Sequence, residues 1–133
     1  MSLDKSFIHS QNTNVCVYAY YEKNTQYKEN MLYFLNNGGI LSDVDYYIVV
    51  NGDHTIEFPI MRNIVVIYRD NKGFDFGAWQ SVIKKYILKT YLYYIFINSS
   101  VRGPYVENGT WLSKFLQLFE SGPDVKMVGT TIN

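Results

Sequence analysis

Polar and glycine residues suited to ligand contact follow four short apolar runs of the sequence. The third of these segments, residues 69–77, reads Arg-Asp-Asn-Lys-Gly-Phe-Asp-Phe-Gly. Its glycines allow a ligand to approach the backbone closely, and amides at the start of a helix attract phosphate. Asp75 can instead cap that helix. The segment has neither the GK[ST] of a P-loop nor a GxGxxG pattern, so neither a P-loop nor a dinucleotide site is supported.

The fourth segment offers neutral hydrogen-bonding groups and one cation. Asn98, Ser99 and Ser100 can bind phosphates or sugar hydroxyls, although such groups are poorer ligands for a divalent cation than carboxylates are. Arg102 can pair with a phosphate. The alternatives are ordinary turn chemistry for the asparagine and serines and a solvated surface position for Arg102.

Other catalytic templates are not supported. The two histidines, His9 and His54, are not spaced as a metal pair, and no GxSxG nucleophile elbow is present. Cys16 is the single cysteine, so a disulfide framework within one chain is excluded. Because Cys16 lies in an apolar run, we expect a small core residue.

Five short runs rich in β-branched and aromatic residues must position these loops. Continuous rather than alternating apolar runs are typical of strands that are covered on both faces. The predicted strands are Val15–Tyr20, Tyr46–Val50, Asn63–Tyr68, Leu92–Ile97 and Val125–Thr130.

Three stretches with helical spacing lie between the strands. The first carries Tyr27, Met31, Phe34 and Leu35 and ends at Asn37-Gly38-Gly39. The second runs from about Phe74 to Lys89, and the third carries a stripe from Leu112 to Phe119 that Ser121-Gly122-Pro123 ends. Strands separated by helices predict an α/β fold, a three-layer Rossmann-like and mostly parallel sheet flanked by helices. In such sheets ligands bind beyond the carboxyl ends of the strands.

Length and composition predict one domain spanning residues 1–133, with residues 1–13 flexible. The 133 residues are 47% hydrophobic and 18% charged, which excludes a disordered chain. The 12 basic and 12 acidic residues balance, which argues against a nucleic-acid partner. No signal peptide and no apolar run long enough to span a membrane are present, so we expect a cytoplasmic protein.

Aromatic residues make up 17% of the chain, including 13 tyrosines. Most fall on the predicted strands and helix stripes, where they predict core packing. Tyr20, Tyr21 and Phe74 remain as candidates for stacking on a ligand.

Two motifs carry a resemblance to a known family. The stretches Tyr68–Trp79 (YRDNKGFDFGAW) and Tyr93–Pro104 (YYIFINSSVRGP), with the closing Val128–Asn133, resemble the rhamnan synthesis protein F family. Its members are bacterial polysaccharide glycosyltransferases, with related domains in large DNA viruses. The resemblance spans most of the chain, and the layout is more distantly similar to family 2 glycosyltransferases of the GT-A fold.

The resemblance implies a GT-A-like domain that binds a nucleotide-sugar donor, with a glycan acceptor in a complete enzyme. The transfer would serve cell-surface polysaccharide biosynthesis. The loop chemistry and the resemblance together give these candidate contacts: Ala19, Tyr20, Tyr21, Asn51, Gly52, Asp53, Arg69, Asp70, Asn71, Gly73, Asp75, Gly77, Asn98, Ser99, Ser100 and Arg102.

The sequence departs from the GT-A pattern in two ways. Where a metal-binding DxD motif would follow the fourth strand, it reads Asn98-Ser99-Ser100, so Mn²⁺ or Mg²⁺ would need other carboxylates such as Asp70 or Asp75. The chain also matches only the donor-binding half of a GT-A enzyme, so no residue is assigned as catalytic base. Two alternatives stay open: a non-catalytic module acting through protein association or as a homo-oligomer, and a flavodoxin-type phosphate-binding domain.

Overall fold

A computed structural model describes residues 7–70, 74–87, 89–104, 111–122, 124–125 and 127–129, with the backbone alone at 74–76. Strands and helices follow one another along this described chain. Its strands are β1 (Asn14–Tyr20), β2 (Val44–Asn51), β3 (Ile64–Arg69) and β4 (Tyr93–Asn98), and its helices are α1 (Thr25–Asn36), α2 (Phe74–Lys85) and α3 (Trp111–Glu120).

The four strands form one parallel sheet in the order β3-β2-β1-β4. Every residue of β1 and β2, the two central strands, is buried. Their apolar runs are continuous because helices cover the sheet on both faces. The fold is therefore the α/β class with a parallel, Rossmann-like sheet that the sequence predicts.

The helices form the two outer layers around this sheet. On one face Tyr18 of β1 belongs to the same buried cluster as Phe34 of α1 and Leu112 of α3. On the other face Val17 of β1 clusters with Val82 of α2. Neighbouring residues of a strand point to opposite faces, so β1 contributes to two cores at once. The predicted three-layer arrangement is confirmed.

The tyrosine-rich composition serves these cores. Four tyrosines of β1 and β2 are fully buried: Tyr18, Tyr20, Tyr46 and Tyr47. A buried hydroxyl needs a hydrogen-bond partner. The hydroxyl of Tyr46 donates to the carbonyl of Gly39 at 2.7 Å and accepts from the amide of Leu41 at 2.8 Å. Core packing therefore explains most of the aromatic excess, as predicted. Cys16 is likewise fully buried, and burial raises the pKa of its thiol.

Local signals set both ends of α1. The Asn24 side chain caps the helix by accepting a hydrogen bond from the amide of Tyr27 at 2.8 Å. At the other end, Gly38 adopts a left-handed conformation with φ of 85°. The amide of Gly39 then donates to the carbonyl of Phe34 at 3.0 Å, which completes a Schellman motif. The predicted stop at Asn37-Gly38-Gly39 is confirmed.

Helix α2 ends earlier than predicted, at Lys85 rather than Lys89. The amides of both Tyr86 and Ile87 donate to the carbonyl of Val82, which breaks the regular helical pattern. Lys89 lies beyond this turn, where its ammonium donates to the carbonyls of Ser10 and Asn12, each at 2.8 Å.

The prediction of a fifth strand at Val125–Thr130 is wrong for the residues that the structure describes. Residues 125 and 127–129 adopt no strand, and Met127 is 89% exposed. Topology supplies the reason, since α3 packs on the same face as α1, which carries the chain from β1 to β2. A right-handed crossover through α3 would lead from β4 back towards β1, where no strand edge is free.

The segment predicted to be flexible, residues 1–13, is described from Phe7 onward. The ring of Phe7 packs against Tyr47 with 4.9 Å between centroids. Ser10 and Asn12 both donate to Asp45 Oδ1 at 2.9 Å, while the Tyr91 hydroxyl donates to Asp45 Oδ2 at 2.7 Å. Asp45, which directly precedes the predicted strand Tyr46–Val50, is a buried residue of β2.

Candidate functional site

The carboxyl ends of all four strands meet at one edge of the sheet, which we call the carboxyl edge. In the parallel registers Ala19 lies opposite Asn98, Tyr20 opposite Val50, and Asn51 opposite Arg69. The loops that the sequence singles out therefore start side by side. The structure brings the candidates of these loops together in two groups, one at β1 and β4 and one at β2 and β3.

Ser99 connects the segments of the first group through buried hydrogen bonds. Its side chain is 4% exposed, and its hydroxyl accepts from the amide of Tyr21 at 2.7 Å and donates to the carbonyl of Ala19 at 3.3 Å. The carbonyl of Ser99 accepts from the side-chain amide of Asn30 at 2.9 Å. Ser99 therefore connects β1, β4 and α1, and its hydroxyl is used within the protein.

Asn30 is a site residue that the sequence reasoning missed. It lies in α1 and is 2% exposed. Its Oδ1 accepts from Gln26 Nε2 at 2.9 Å and from the Arg102 guanidinium at 3.4 Å. An asparagine inside the apolar stripe of Tyr27, Met31 and Phe34 was the available signal, because a buried amide needs partners.

Arg102 is held at the carboxyl edge by neutral groups. Besides the contact with Asn30, its guanidinium lies over the ring of Tyr33, 4.8 Å from the centroid. The side chain is exposed. Since an amide and an aromatic ring carry no opposite charge, these partners orient the guanidinium without cancelling its charge.

Glu22 forms a second connection that sequence reasoning did not find. Its carboxylate accepts from the Tyr20 hydroxyl at 2.9 Å, and from the amide and hydroxyl of Thr55 at 3.0 and 2.9 Å. Partial burial raises the pKa of the Glu22 carboxyl, but these hydrogen bonds and the charge of Lys28 outweigh it and hold the pKa below its usual range. Glu22 thus ties the loop after β1 to the loop after β2.

Tyr20 is enclosed by this arrangement. Its ring is fully buried and meets Phe58 edge-on at 6.0 Å. Burial, followed by the hydrogen bond to Glu22, raises the pKa of its hydroxyl. Neither Tyr20 nor the fully buried Ala19 presents a side chain to solvent, whereas Tyr21 is half-buried.

The second group lies at β2 and β3. Gly52 has φ of 77°, and its amide donates to the carbonyl of Arg69 at 2.8 Å. Asn51 is 2% exposed, and its Oδ1 has no hydrogen-bond partner within the part of the chain that the structure describes. The candidates Asp53 and Asp70 are exposed beside this group. A buried acceptor without a partner is costly, so Asn51 is where a bound donor group would gain most.

The remaining candidates of the third loop are described only in part. Asn71 and Gly73 lie outside the described residues, and Asp75 is described by its backbone alone, inside the first turn of α2. Gly77 lies two residues further along the same helix.

Asn98, Ser99 and Ser100 do not fit a divalent cation. Asn98 Oδ1 accepts from the amide of Ser100 at 3.1 Å and from its hydroxyl at 2.7 Å, which is the turn chemistry considered above. The Ser99 hydroxyl is also occupied. No group of three or more His, Cys, Asp or Glu side chains among the described residues could hold a metal ion.

A shallow groove of about 540 Å³ lies away from the carboxyl edge, between α2 and β4. It is lined by Ile83, Ile87, Lys89, Thr90, Tyr94 and Phe96. The lining is mostly apolar, so it lacks the polar groups that the loop candidates offer.

Comparisons with known proteins leave function to be argued from these residues. No protein-family model matches the chain, and no curated protein or solved structure matches it. Within the described part of the chain, no helix is long and apolar enough to cross a membrane.

Proposed function

We propose that the carboxyl edge binds a nucleotide-sugar, as the donor-binding part of a glycosyltransferase of cell-surface polysaccharide assembly. Arg102 is the observation that carries the proposal. An exposed guanidinium, oriented by Asn30 at 3.4 Å and by the ring of Tyr33, is suited to pair with a diphosphate. The motif resemblance of the two loops adds the sugar-nucleotide class.

Three neighbouring features support this assignment. The backbone at the carboxyl ends of β1 and β4 is fixed by Ser99, so the loops start from a rigid base. The buried Oδ1 of Asn51 has no partner among the described residues, so a donor group that reached it would be stabilised. Tyr21, half-buried beside Ser99, offers an aromatic surface. Preorganised groups of this kind reduce the entropy lost on binding.

The chemistry assigned to this chain is donor binding. Charge-assisted hydrogen bonds from Arg102 would offset part of the negative charge of the diphosphate, and the nucleoside diphosphate leaves when the glycosyl carbon is transferred to an acceptor hydroxyl. No residue of the chain is assigned as the base for that acceptor, and no step is routed through a metal ion.

Titration calorimetry with UDP, GDP, dTDP and their sugar conjugates tests the proposal. We expect one nucleotide class to bind, and Arg102→Ala to weaken that binding roughly 10- to 100-fold, because a hydrogen bond to a charged group is worth about 1.5–3 kcal/mol. Repeating the titration with Mg²⁺ or Mn²⁺ measures any dependence on metal.

Arg62→Ala is the matched control. Arg62 is exposed and precedes β3, so it lies at the opposite, amino edge of the sheet. Its replacement should leave affinity unchanged. Failure of every nucleotide to bind the folded protein would overturn the proposal, as would equal losses in the two arginine variants.

A further inference from the structure

We infer that two copies of this chain pair through the outer edges of their β4 strands, related by a twofold axis, to form one continuous sheet. This surface is separate from the carboxyl edge, so the inference goes beyond donor binding. It rests on the chemistry of β4, on the groove beside it and on the topology of the described chain.

Strand β4 is an edge strand without the usual protection against pairing. It lies at one end of the order β3-β2-β1-β4, with β1 as its neighbour among the described strands. Its six residues, YYIFIN, include no charged residue and no proline. Edge strands that stay single usually carry lysine, proline or a bulge, because their free backbone groups are a template for another strand.

The α2 side of this edge exposes an apolar surface. Tyr94 is 41% exposed, Phe96 42% and Ile83 44%, and all three line the groove of about 540 Å³. Leu92, just before the strand, is 69% exposed. Exposed apolar surface that continues along a strand edge is typical of an interaction site.

The charged residue of the groove is directed inward. Lys89 Nζ donates to the carbonyls of Ser10 and Asn12 at 2.8 Å and lies 4.6 Å from the centroid of the Tyr91 ring. These neutral partners do not cancel the charge of Lys89, but they hold its ammonium against the N-terminal segment. Two copies of this edge can meet without like charges being placed face to face.

Contacts within the chain hold the two exposed rings in place. Phe96 packs against Trp79 with 5.2 Å between centroids, and Tyr94 meets Tyr91 edge-on at 6.0 Å. The Tyr94 hydroxyl also accepts from the amide of Tyr91 at 3.1 Å. Rings that are already fixed lose little conformational freedom when a partner covers them.

None of the described residues that follow β4 pairs with its outer edge. A right-handed crossover through α3 would lead away from the free side of β4. Residues 127–129 adopt no strand. A second copy needs no such connection.

The pattern of β4 is self-complementary about Ile95. A twofold axis through Ile95, perpendicular to the sheet, makes the two strands antiparallel and places Tyr94 of one copy opposite Phe96 of the other. Both rings lie on the α2 side, so the axis creates two identical aromatic pairs. Cross-strand aromatic pairs stabilise antiparallel strands, and twofold interfaces require such a self-matching surface.

Sedimentation velocity over a wide range of concentrations tests the inference. We expect a reversible species of twice the chain mass, and Phe96→Glu should raise its dissociation constant at least tenfold, because it buries charges near one another at the axis. Tyr68→Glu is the matched control, since Tyr68 is a 60% exposed aromatic residue on the other edge strand, β3. The control should dimerise like the wild type.

Hydrogen exchange of the unmodified protein gives a second measurement that needs no variant. Amides of Tyr93–Asn98 should gain protection as concentration rises, while amides of β3 should not. A wild-type chain that stays monomeric at high concentration would overturn the inference. So would a dimer that Tyr68→Glu disrupts and Phe96→Glu leaves intact.

Discussion

At the residue scale, the polar side chains of the carboxyl edge other than the buried Asn51 form two groups: those that tie loops together and those that face solvent. Ser99, Asn30 and Glu22 tie loops, since each bonds at least two separate segments. Arg102 and Asp70 are exposed. The first group positions the site, and the second is available to a ligand.

Glu22 should make stability depend on pH in a defined direction. Because the pKa of Glu22 in the folded protein is lowered, its contribution is present above the unfolded pKa of about 4.3 and is lost as pH falls through the folded value. We expect Glu22→Gln to cost roughly 1 kcal/mol near pH 7. The difference from wild type should vanish in acid.

Urea unfolding at a series of pH values measures this difference. Glu57→Gln, an exposed carboxylate of the loop that also carries Thr55, is the control and should leave the pH profile unchanged. A Glu22→Gln variant whose deficit stays constant from neutral to acid pH would contradict the assignment of the effect to the carboxylate charge.

The residues of the carboxyl edge were only partly predictable. The sequence identified Arg102, Asn51 and Ser99 because they lie in the segments that follow predicted apolar strands. It missed Asn30 and Thr55, since their partners are far away in sequence, as in the bond of Asn30 to the carbonyl of Ser99. Such pairings depend on strand order, which spacing along one chain does not specify.

At the element scale, helix α1 shows how a local signal and a tertiary contact act at one point. The Schellman motif satisfies the carbonyl of Phe34, and the same turn brings Gly39 against the Phe34 ring. The carbonyl of Gly39 accepts a hydrogen bond from the buried Tyr46 hydroxyl. The end of the helix is therefore also part of the core.

Gly39→Ala should destabilise the protein strongly. A Cβ at this position would collide with the carbonyl oxygen and the ring of Phe34. Overpacking of this kind costs about 1–3 kcal/mol. Chemical denaturation should show this loss, with the slope of the unfolding transition unchanged.

Gly129→Ala provides the comparison, because nothing lies within 4 Å of a Cβ built there. It should change the free energy of unfolding by less than about 0.5 kcal/mol. Equal losses of stability in the two variants would show that contact with Phe34 does not exclude a side chain at position 39.

At the scale of the whole molecule, the two cores are closed by segments distant in sequence. Phe7 completes the α2-side core, where it clusters with Val17 and Tyr47, and it is 8% exposed. The nearby Asp45 joins Ser10, Asn12 and Tyr91. The N-terminal segment is therefore part of the folded unit from Phe7 onward.

Phe7→Ala should lower the free energy of unfolding by roughly 3 kcal/mol, the usual cost of emptying a buried phenylalanine site. Ile60→Ala, at a residue that is 103% exposed, should change it by less than about 0.5 kcal/mol. Thermal unfolding followed by circular dichroism compares the two. An unchanged Phe7→Ala midpoint would contradict the role of this ring in the core.

The order of strands and helices was more predictable from the sequence than the structure of the segments before β1 and after α3. Four strands, three helices and the parallel sheet follow from apolar runs and helical spacing, because local pattern and burial agree in this described part of the chain. The predicted fifth strand is absent from the described residues 125 and 127–129, because a right-handed crossover through α3 leads towards β1, whose two edges are already paired. The packing of Phe7 was missed because no periodic pattern marks so short a segment.

The central position of β1 has a consequence for synthesis on the ribosome. One edge of β1 pairs with β2, which follows soon after in the sequence. The other edge pairs with β4, so Asn14 has its partner residue only after Tyr93 has been synthesised. Until β4 emerges, a strand that is fully buried in the folded protein keeps one side open in the nascent chain. Long-range parallel pairing slows folding and exposes such intermediates to aggregation, so we expect chaperone binding to protect β1 until β4 has emerged.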